Sequence, residues 1–189
     1  MLQPELLNNL FAVLNENQID YMVTGSIVSS LQGEPRATHD VDIVVNIRTL
    51  AIPAMIAAFP PPQYYLDPHS MEDAIRHRSM FNLLDTNEGD KIDFWILTDE
   101  PFDLSRFERK YEENVFGFKM KISKPEDTIL AKLHWAKLSG GSEKQFTDAL
   151  RVYEVQYGNL DLNYLLYWVN HLQVSELWNK LTEEANPIE

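Results

Sequence analysis

The chain has 189 residues with a formal net charge of −13, and 44% of them are hydrophobic. This length suits one large domain or a core with a helical appendage, and the negative charge argues against binding of long duplex nucleic acid. The absence of cysteine excludes disulfides, thiolate metal sites and cysteine nucleophiles. No segment has the roughly 18–20 apolar residues of a membrane span and the N-terminus lacks a secretory signal, so we expect a cytoplasmic protein with no membrane partner.

The first two thirds of the chain alternate between helical and strand patterns. Apolar residues recur at helical spacing over 3–17 and predict an amphipathic first helix. The other elements predicted here are strands at 20–24, 40–46, 80–84 and 91–97, and helices at 27–31, 49–58 and 71–78. The turn at 86–90 predicts that the last two strands form a hairpin, and one or two further strands are expected in 111–122.

From residue 123 onward the pattern is helical. Ser123 and Glu126 fit a capping box, and Ser142 and Gln145 fit a second one at the start of the next helical pattern. Segments 161–172 and 174–185 predict two more helices. This change predicts a mixed α/β core over 1–122 and a C-terminal helical region over 123–189 packed on it, which gives an α+β fold. Aromatic residues at helical spacing in that region predict core packing or a surface for a second copy or a partner protein.

A glycine and a hydroxyl stand at the first predicted strand-to-helix corner. Gly25 and Ser26 follow directly after the strand at 20–24. Such a corner exposes backbone N–H groups and the positive end of a helix dipole, and glycine permits close approach of a ligand. The corner is therefore a candidate site for phosphate groups.

Acidic residues interrupt two of the apolar strands. Asp40 and Asp42 share one face of their strand, with side chains about 6–7 Å apart, and Asp93 lies within the apolar run at 91–97. Repelling carboxylates on neighbouring strands need a cation, and Mg²⁺ prefers oxygen ligands of this kind. We expect all three carboxylates within about 6 Å of one another, near Ser26, holding one or two Mg²⁺ ions. The alternative is a set of strand-end aspartates that only face solvent.

Gly25-Ser26, Asp40-x-Asp42 and Asp93 together resemble the nucleotidyltransferase superfamily related to DNA polymerase beta. Its pattern is Gly-Ser, then a strand with Asp-x-Asp or Asp-x-Glu, then a third carboxylate on a further strand. The segment 33–42 is similar to the bacterial branch that includes abortive-infection and toxin-type nucleotidyltransferases.

This resemblance implies a mixed-sheet nucleotidyltransferase core flanked by helices, in an enzyme that moves a nucleoside monophosphate from a nucleoside triphosphate, such as ATP, onto a hydroxyl. Asp40 and Asp42 would coordinate two Mg²⁺ ions in the substrate complex, and Asp93 would help to deprotonate the acceptor hydroxyl. Gly25 and Ser26 would bind the β and γ phosphates. A small molecule, a protein side chain or a tRNA end remains open as the acceptor, and a toxin–antitoxin context is expected.

Two basic residues are candidates for contacts with the triphosphate. Arg36 lies four residues before Asp40 and either contacts a phosphate or pairs with an acid. Lys132 lies on the first C-terminal helix; it either contacts the triphosphate, as the resemblance implies, or is an ordinary surface lysine.

Two other functions compete with this one. Many glycosyltransferases use Asp-x-Asp, but generally after a longer nucleotide-binding region than the 39 residues that precede Asp40. The second rival is a catalytically silent nucleotide-binding or antitoxin-like module with the same fold, and the presence of all three acids weighs against it.

Overall fold

The sequence folds into alternating helices and strands. The computed structural model describes residues 4–35, 40–115 and 117–187. The helices in these ranges are α1 (Pro4–Glu16), α2 (Gly25–Gln32), α3 (Ile52–Ala58), α4 (Pro68–His77), α5 (Pro101–Arg109), α6 (Pro125–Leu138), α7 (Glu143–Gln156), α8 (Leu162–His171) and α9 (Ser175–Glu184). The strands are β1 (Asp20–Thr24), β2 (Asp40–Asn46), β3 (Tyr64–Tyr65), β4 (Met80–Asp85), β5 (Lys91–Ile96), β6 (Tyr111–Val115) and β7 (Phe118–Ile122).

The strands form one mixed sheet in the order β3-β4-β5-β2-β1-β7-β6. Parallel pairing joins β2 to β5 and β1 to β7, whereas the other neighbouring pairs are antiparallel. The central strands are therefore β5, β2 and β1, the segments in which the sequence places its acids and the start of its Gly-Ser corner.

One face of this sheet is apolar. Alternate residues of the central strands are buried on it: Val41, Ile43, Val45, Ile92, Phe94 and Ile96. Helix α1 packs against β1 and α3, and α4 packs against α3 and β4. Aromatic rings stack across these elements, with centroids 5.1 Å apart for Phe11 and Tyr21 and 4.7 Å apart for Phe81 and Phe94.

A smaller apolar cluster is formed by the intervening residues of the central strands, which project from the other face of the sheet. Met22 and Val44 form it together with Leu97 and with Phe107 of α5, and Trp95 packs against it. The cluster is next to the acids in sequence, since Val44 follows Asp42 by two residues and Trp95 follows Asp93 by two.

The chain groups into two compact units. Among the described residues, the sheet unit comprises 4–24 and 40–122, and a helical unit comprises 25–35 and 123–187. In the helical unit α6 packs against α7, and α2 packs against both. A Cβ atom on Gly33, just after α2, would lie 2.9 Å from the backbone nitrogen of Val152, so glycine permits this close approach to α7.

The α+β fold class is confirmed, and most predicted elements are present within a few residues. Both predicted capping boxes are wrong. Ser142 precedes α7, but its side chain makes no capping hydrogen bond. The box at Ser123 and Glu126 fails because both side chains have other partners. The Ser123 hydroxyl pairs with that of Thr128 at 2.9 Å, and Glu126 accepts a hydrogen bond from the Asp161 amide, so Lys124 precedes a helix that begins at Pro125. None of the helices in the described ranges has the length and apolarity that a bilayer crossing needs.

Candidate active site

A single row of polar residues crosses four neighbouring strands of the sheet. The strand register pairs Asp42 with Thr24 on one side and with Asp93 on the other, and Asp93 with Asn82. Residues paired in this way project from the same face of a sheet. We call these four residues the polar row. The next row along the same strands is apolar and consists of Met22, Val44, Trp95 and Met80.

The three predicted acids occupy this face at different depths. Asp93 is buried, Asp42 is half-buried, and Asp40, two residues earlier on the same face of β2, is exposed. Asp40 pairs in register with Lys91, just as Asp42 pairs with Asp93. Parallel strands β2 and β5 thus present three carboxylates and one ammonium group on adjacent positions.

The carboxylate of Asp93 is held from both sides. The Asn82 side-chain amide donates a short hydrogen bond to Oδ1, and Lys91 Nζ lies 2.8 Å from Oδ2. The hydrogen bond to Asp93 raises the pKa of Lys91; burial opposes this rise, and the charges of Asp93, Asp40 and Asp42 add to it. The Lys91 ammonium therefore lies in the electrostatic field of all three acids.

Asp42 is oriented from the apolar row. The Trp95 indole Nε1 donates a hydrogen bond to Asp42 Oδ1 at 3.1 Å. Because the indole packs on the cluster with Met22, Val44, Leu97 and Phe107, its position is set by the core and by α5. A rigid indole donor of this kind restricts the rotamers open to the carboxylate.

The Gly-Ser corner has the predicted local form. Strand β1 ends at Thr24, and Gly25 begins α2 with a φ of 71°, a conformation that glycine adopts at little cost. Ser26 is the second residue of α2, and its carbonyl accepts a hydrogen bond from the Ser29 hydroxyl at 3.1 Å. Phosphate binding by Gly25 and Ser26 stays a prediction.

The two basic candidates have different outcomes. Lys132 is not an ordinary surface lysine, because only 6% of its side chain is exposed and its Nζ lies 2.8 Å from Asp148 Oδ2. The Asp148 side chain is 9% exposed, so α6 and α7 share a buried ion pair within the helical unit. Arg36 lies outside the described residues, and its contact with a phosphate stays a prediction.

No protein-family model matches the chain, and no curated protein matches it. Solved structures do. They include ANT(2″)-Ia in complex with adenylyl-2″-tobramycin, at 11% identity over 91% of this chain and 97% of that one, with a TM-score of 0.59. The lincosamide antibiotic adenylyltransferase LnuA, with lincomycin bound, aligns at 15% identity over 80% of this chain and 96% of its own, with a TM-score of 0.53. The chain has the nucleotidyltransferase fold. An antigenic nucleotidyltransferase-like protein from Paracoccidioides brasiliensis is also similar, at 17% identity over 95% of this chain and 91% of that one, with a TM-score of 0.52.

The nucleotidyltransferase fold raises the question of whether these residues suit a divalent ion. Across the described ranges, no group of three or more Asp, Glu, His or Cys side chains is arranged to hold a metal ion. The donor set nevertheless fits Mg²⁺ in its chemistry, since Asp40, Asp42 and Asp93 supply hard oxygen ligands on one face. One positive charge, the Lys91 ammonium, already contacts Asp93 on this face. Metal coordination by the three acids stays a prediction.

Three residues that contact Asp42 or Asp93 were not predicted from the sequence. Lys91 and Trp95 flank Asp93 at i−2 and i+2, so strand alternation alone could have assigned them to its face. Asn82 gave no such signal, because its contact depends on the register of the β4–β5 hairpin.

Proposed function

We propose that this chain is a metal-dependent nucleotidyltransferase that moves a nucleoside monophosphate from a nucleoside triphosphate onto a hydroxyl of an acceptor. The supporting observation is that Asp42 and Asp93 pair in register on parallel strands, with Asp40 on the same face. Three carboxylates from two strands on one face suit divalent ions better than they suit a structural role. The nucleotidyltransferase fold adds to this argument.

The three acids would share metal binding in this proposal, and one of them would also act as a base. Asp40 and Asp42 would hold the Mg²⁺ ions, with Asp93 as the third ligand. When bound, the ions supply charge stabilisation at the attacking and leaving oxygens of an in-line displacement. The acceptor oxygen forms a bond to the α phosphorus, the bond from that phosphorus to the bridging oxygen breaks, and pyrophosphate leaves. Asp93 would take the proton of the acceptor hydroxyl.

The remaining candidates would bind the triphosphate. The Gly25 conformation and the start of α2 offer backbone N–H groups of the kind that bind phosphate oxygens, and Ser26 adds a hydroxyl. Arg36 would add a charged contact. An ammonium has three donors, so Lys132 could keep Asp148 and still donate to a phosphate.

A small molecule is the acceptor to test first. One similar structure is an adenylyltransferase with lincomycin bound, and another holds adenylyl-2″-tobramycin, so both concern adenylyl groups and small molecules. The net charge of −13 disfavours a long nucleic acid, whereas a protein side chain or a tRNA end remains compatible with it. Cytoplasmic residence and a toxin–antitoxin context belong to the same proposal.

One observation favours the second candidate, a silent nucleotide-binding or antitoxin-like module. Both carboxylate oxygens of Asp93 already have partners, in Asn82 and Lys91. A protein of this kind would bind a nucleoside triphosphate without transferring any part of it.

The test is incubation with each α-labelled triphosphate, Mg²⁺ and either a panel of polyhydroxylated small molecules or a cell extract. Asp42→Asn removes one metal ligand at nearly constant shape, and Asp73→Asn, at an exposed acid of α4, is the matched control. We expect transfer by wild type and Asp73→Asn, and a loss of about 100-fold or more in Asp42→Asn. Equal transfer by Asp42→Asn would remove the enzyme proposal, and binding without transfer in wild type would support the silent module.

A further inference from the structure

Lys91 occupies a special position among the basic residues of the sheet unit. It stands two residues before Asp93 on the same face of β5 and pairs in register with Asp40. Its Nζ lies 2.8 Å from Asp93 Oδ2, and its side chain is 35% exposed, against 12% for Asp93. The partly exposed ammonium thus contacts the most buried of the three candidate acids.

An ordinary surface ion pair would not indicate a function for Lys91. Exposed pairs between two charges contribute little to stability, because water screens them and both side chains lose freedom. Lys91 differs in two respects. Its partner is buried, and its ammonium lies in the field of two further carboxylates, Asp40 and Asp42. One positive charge therefore offsets repulsion among several negative ones.

The two contacts of Asp93 also differ in kind. Asn82 holds Oδ1 through a neutral amide, whereas Lys91 holds Oδ2 through a charge at the end of a flexible four-carbon stem. A divalent ion that binds the three acids would repel the ammonium and compete with it for Oδ2. Asn82 would keep the carboxylate oriented while the lysine moves away.

We propose that Lys91 is an internal counter-ion of the carboxylate face: it holds Asp93 while no divalent ion is present, and its displacement from Oδ2 sets the concentration at which the ion binds. This inference rests on the proposed function, because it assumes that the acids bind a metal. Lys91 is a positioning residue in this scheme and takes no part in the chemistry. Removing its charge should lower the thermal stability of the metal-free protein and increase its affinity for the metal ion. If the pair were purely structural, only the stability would change.

The test measures Mn²⁺ binding by equilibrium dialysis, and thermal unfolding in EDTA and in saturating Mn²⁺. Lys91→Met keeps the length of the stem and removes the charge, and Lys91→Gln is a second variant that retains a hydrogen-bond donor. Lys119→Met, at an exposed lysine of β7, makes the same change in net charge away from the acids. Asp42→Asn identifies binding that depends on the site.

We expect both Lys91 variants to bind Mn²⁺ about five- to tenfold more tightly than wild type. Their Tm in EDTA should fall by about 2–4 °C, and saturating Mn²⁺ should close this gap. Lys119→Met should match wild type in both measurements. Wild-type binding that Asp42→Asn abolishes, together with unchanged or weaker binding by both Lys91 variants, would overturn the inference and leave the proposed function intact. An absence of Mn²⁺ binding by wild type would also overturn the inference, whereas the proposed function would still be decided by the transfer assay, in which the triphosphate is present.

Discussion

The indole of Trp95 donates a hydrogen bond to Asp42 at 3.1 Å and connects the apolar row of the sheet to the polar row beside it. The same ring packs on the cluster that includes Phe107 of α5. The position of a candidate metal ligand is thus coupled to the packing of a helix that carries none of the three acids.

Replacement of Trp95 by phenylalanine tests this coupling. Trp95→Phe keeps an aromatic ring in the cluster but removes the N–H donor, so we expect a loss of about 1–2 kcal/mol in the free energy of unfolding. Asp42 gains rotamer freedom, and Mn²⁺ affinity should fall about two- to fivefold. Trp135→Phe, at a half-exposed tryptophan of α6, is the control and should leave Mn²⁺ affinity unchanged. Wild-type affinity in Trp95→Phe would contradict the coupling.

Asn82→Asp places a fourth carboxylate beside Asp93. The new charge replaces the amide donor to Asp93 Oδ1 by a repelling oxygen, so the protein without metal should be less stable. A divalent ion offsets the added repulsion. The rise in Tm between EDTA and saturating Mg²⁺ should therefore be larger in Asn82→Asp than in wild type. Thermal unfolding of both proteins under the two conditions measures this difference.

Asn114→Asp is the matched control for this change, because Asn114 is exposed on β6 and pairs in register with Lys119. Its Tm should respond to Mg²⁺ as that of wild type does. An equal Mg²⁺ response in Asn82→Asp would mean that a charge at residue 82 does not act on the acids.

Local sequence patterns predict most of this fold but not all of it. The strands β1 and β2 agree with the predicted bounds because each is a short apolar run with a polar residue at both ends. Helix α5 was not predicted: its buried residues Phe102 and Phe107 are five positions apart, outside the three- and four-residue spacing of a helical stripe. The two-residue strand β3 was missed because a segment so short carries no alternation.

The candidate site divides in the same way. Asp40, Asp42 and Asp93 are conspicuous because an acid is unusual in an apolar strand, and no tertiary information is needed to notice it. The partners of these acids are set by the register between strands distant in sequence. That register makes Asn82 a neighbour of Asp93, and it cannot be read from the spacing of residues along the chain. The buried partner of Lys132, Asp148, follows equally from the packing of α6 on α7.

The Asp20 carboxylate predicts a defined pH dependence of stability. Burial on its own raises the pKa of Asp20, but hydrogen bonds and charges from Lys110 and Lys121 outweigh it and lower the pKa below the ordinary value of 3.8. A carboxyl with a lowered pKa in the folded state stabilises the protein above its unfolded pKa, and this contribution disappears as the pH falls through the folded value. Asp20→Asn should therefore lower the Tm near neutral pH by a few degrees at most, since the pair is partly exposed.

The decisive measurement is the Tm difference between wild type and Asp20→Asn as a function of pH. It should stay constant down to about pH 5, begin to narrow near pH 4 and close as the pH falls through the lowered pKa of Asp20 in the folded protein. A difference that persists in acid would assign the effect to packing, and no difference at neutral pH would contradict the stabilising role of the two lysines.

The ion pair of Lys132 and Asp148 allows stability to be separated from ligand binding. Lys132→Met leaves the Asp148 carboxylate buried without its 2.8 Å ammonium partner and should cost about 3 kcal/mol or more in the free energy of unfolding. The double variant Lys132→Met with Asp148→Leu replaces both charges by apolar groups and should recover most of that loss. Its KM for the nucleoside triphosphate then reports the loss of the Lys132–Asp148 pair from a protein that is not destabilised. If Lys132 binds a phosphate, KM should rise about tenfold in a protein of nearly wild-type Tm. A wild-type KM in the double variant would remove Lys132 from the triphosphate site and leave it as a structural residue between α6 and α7.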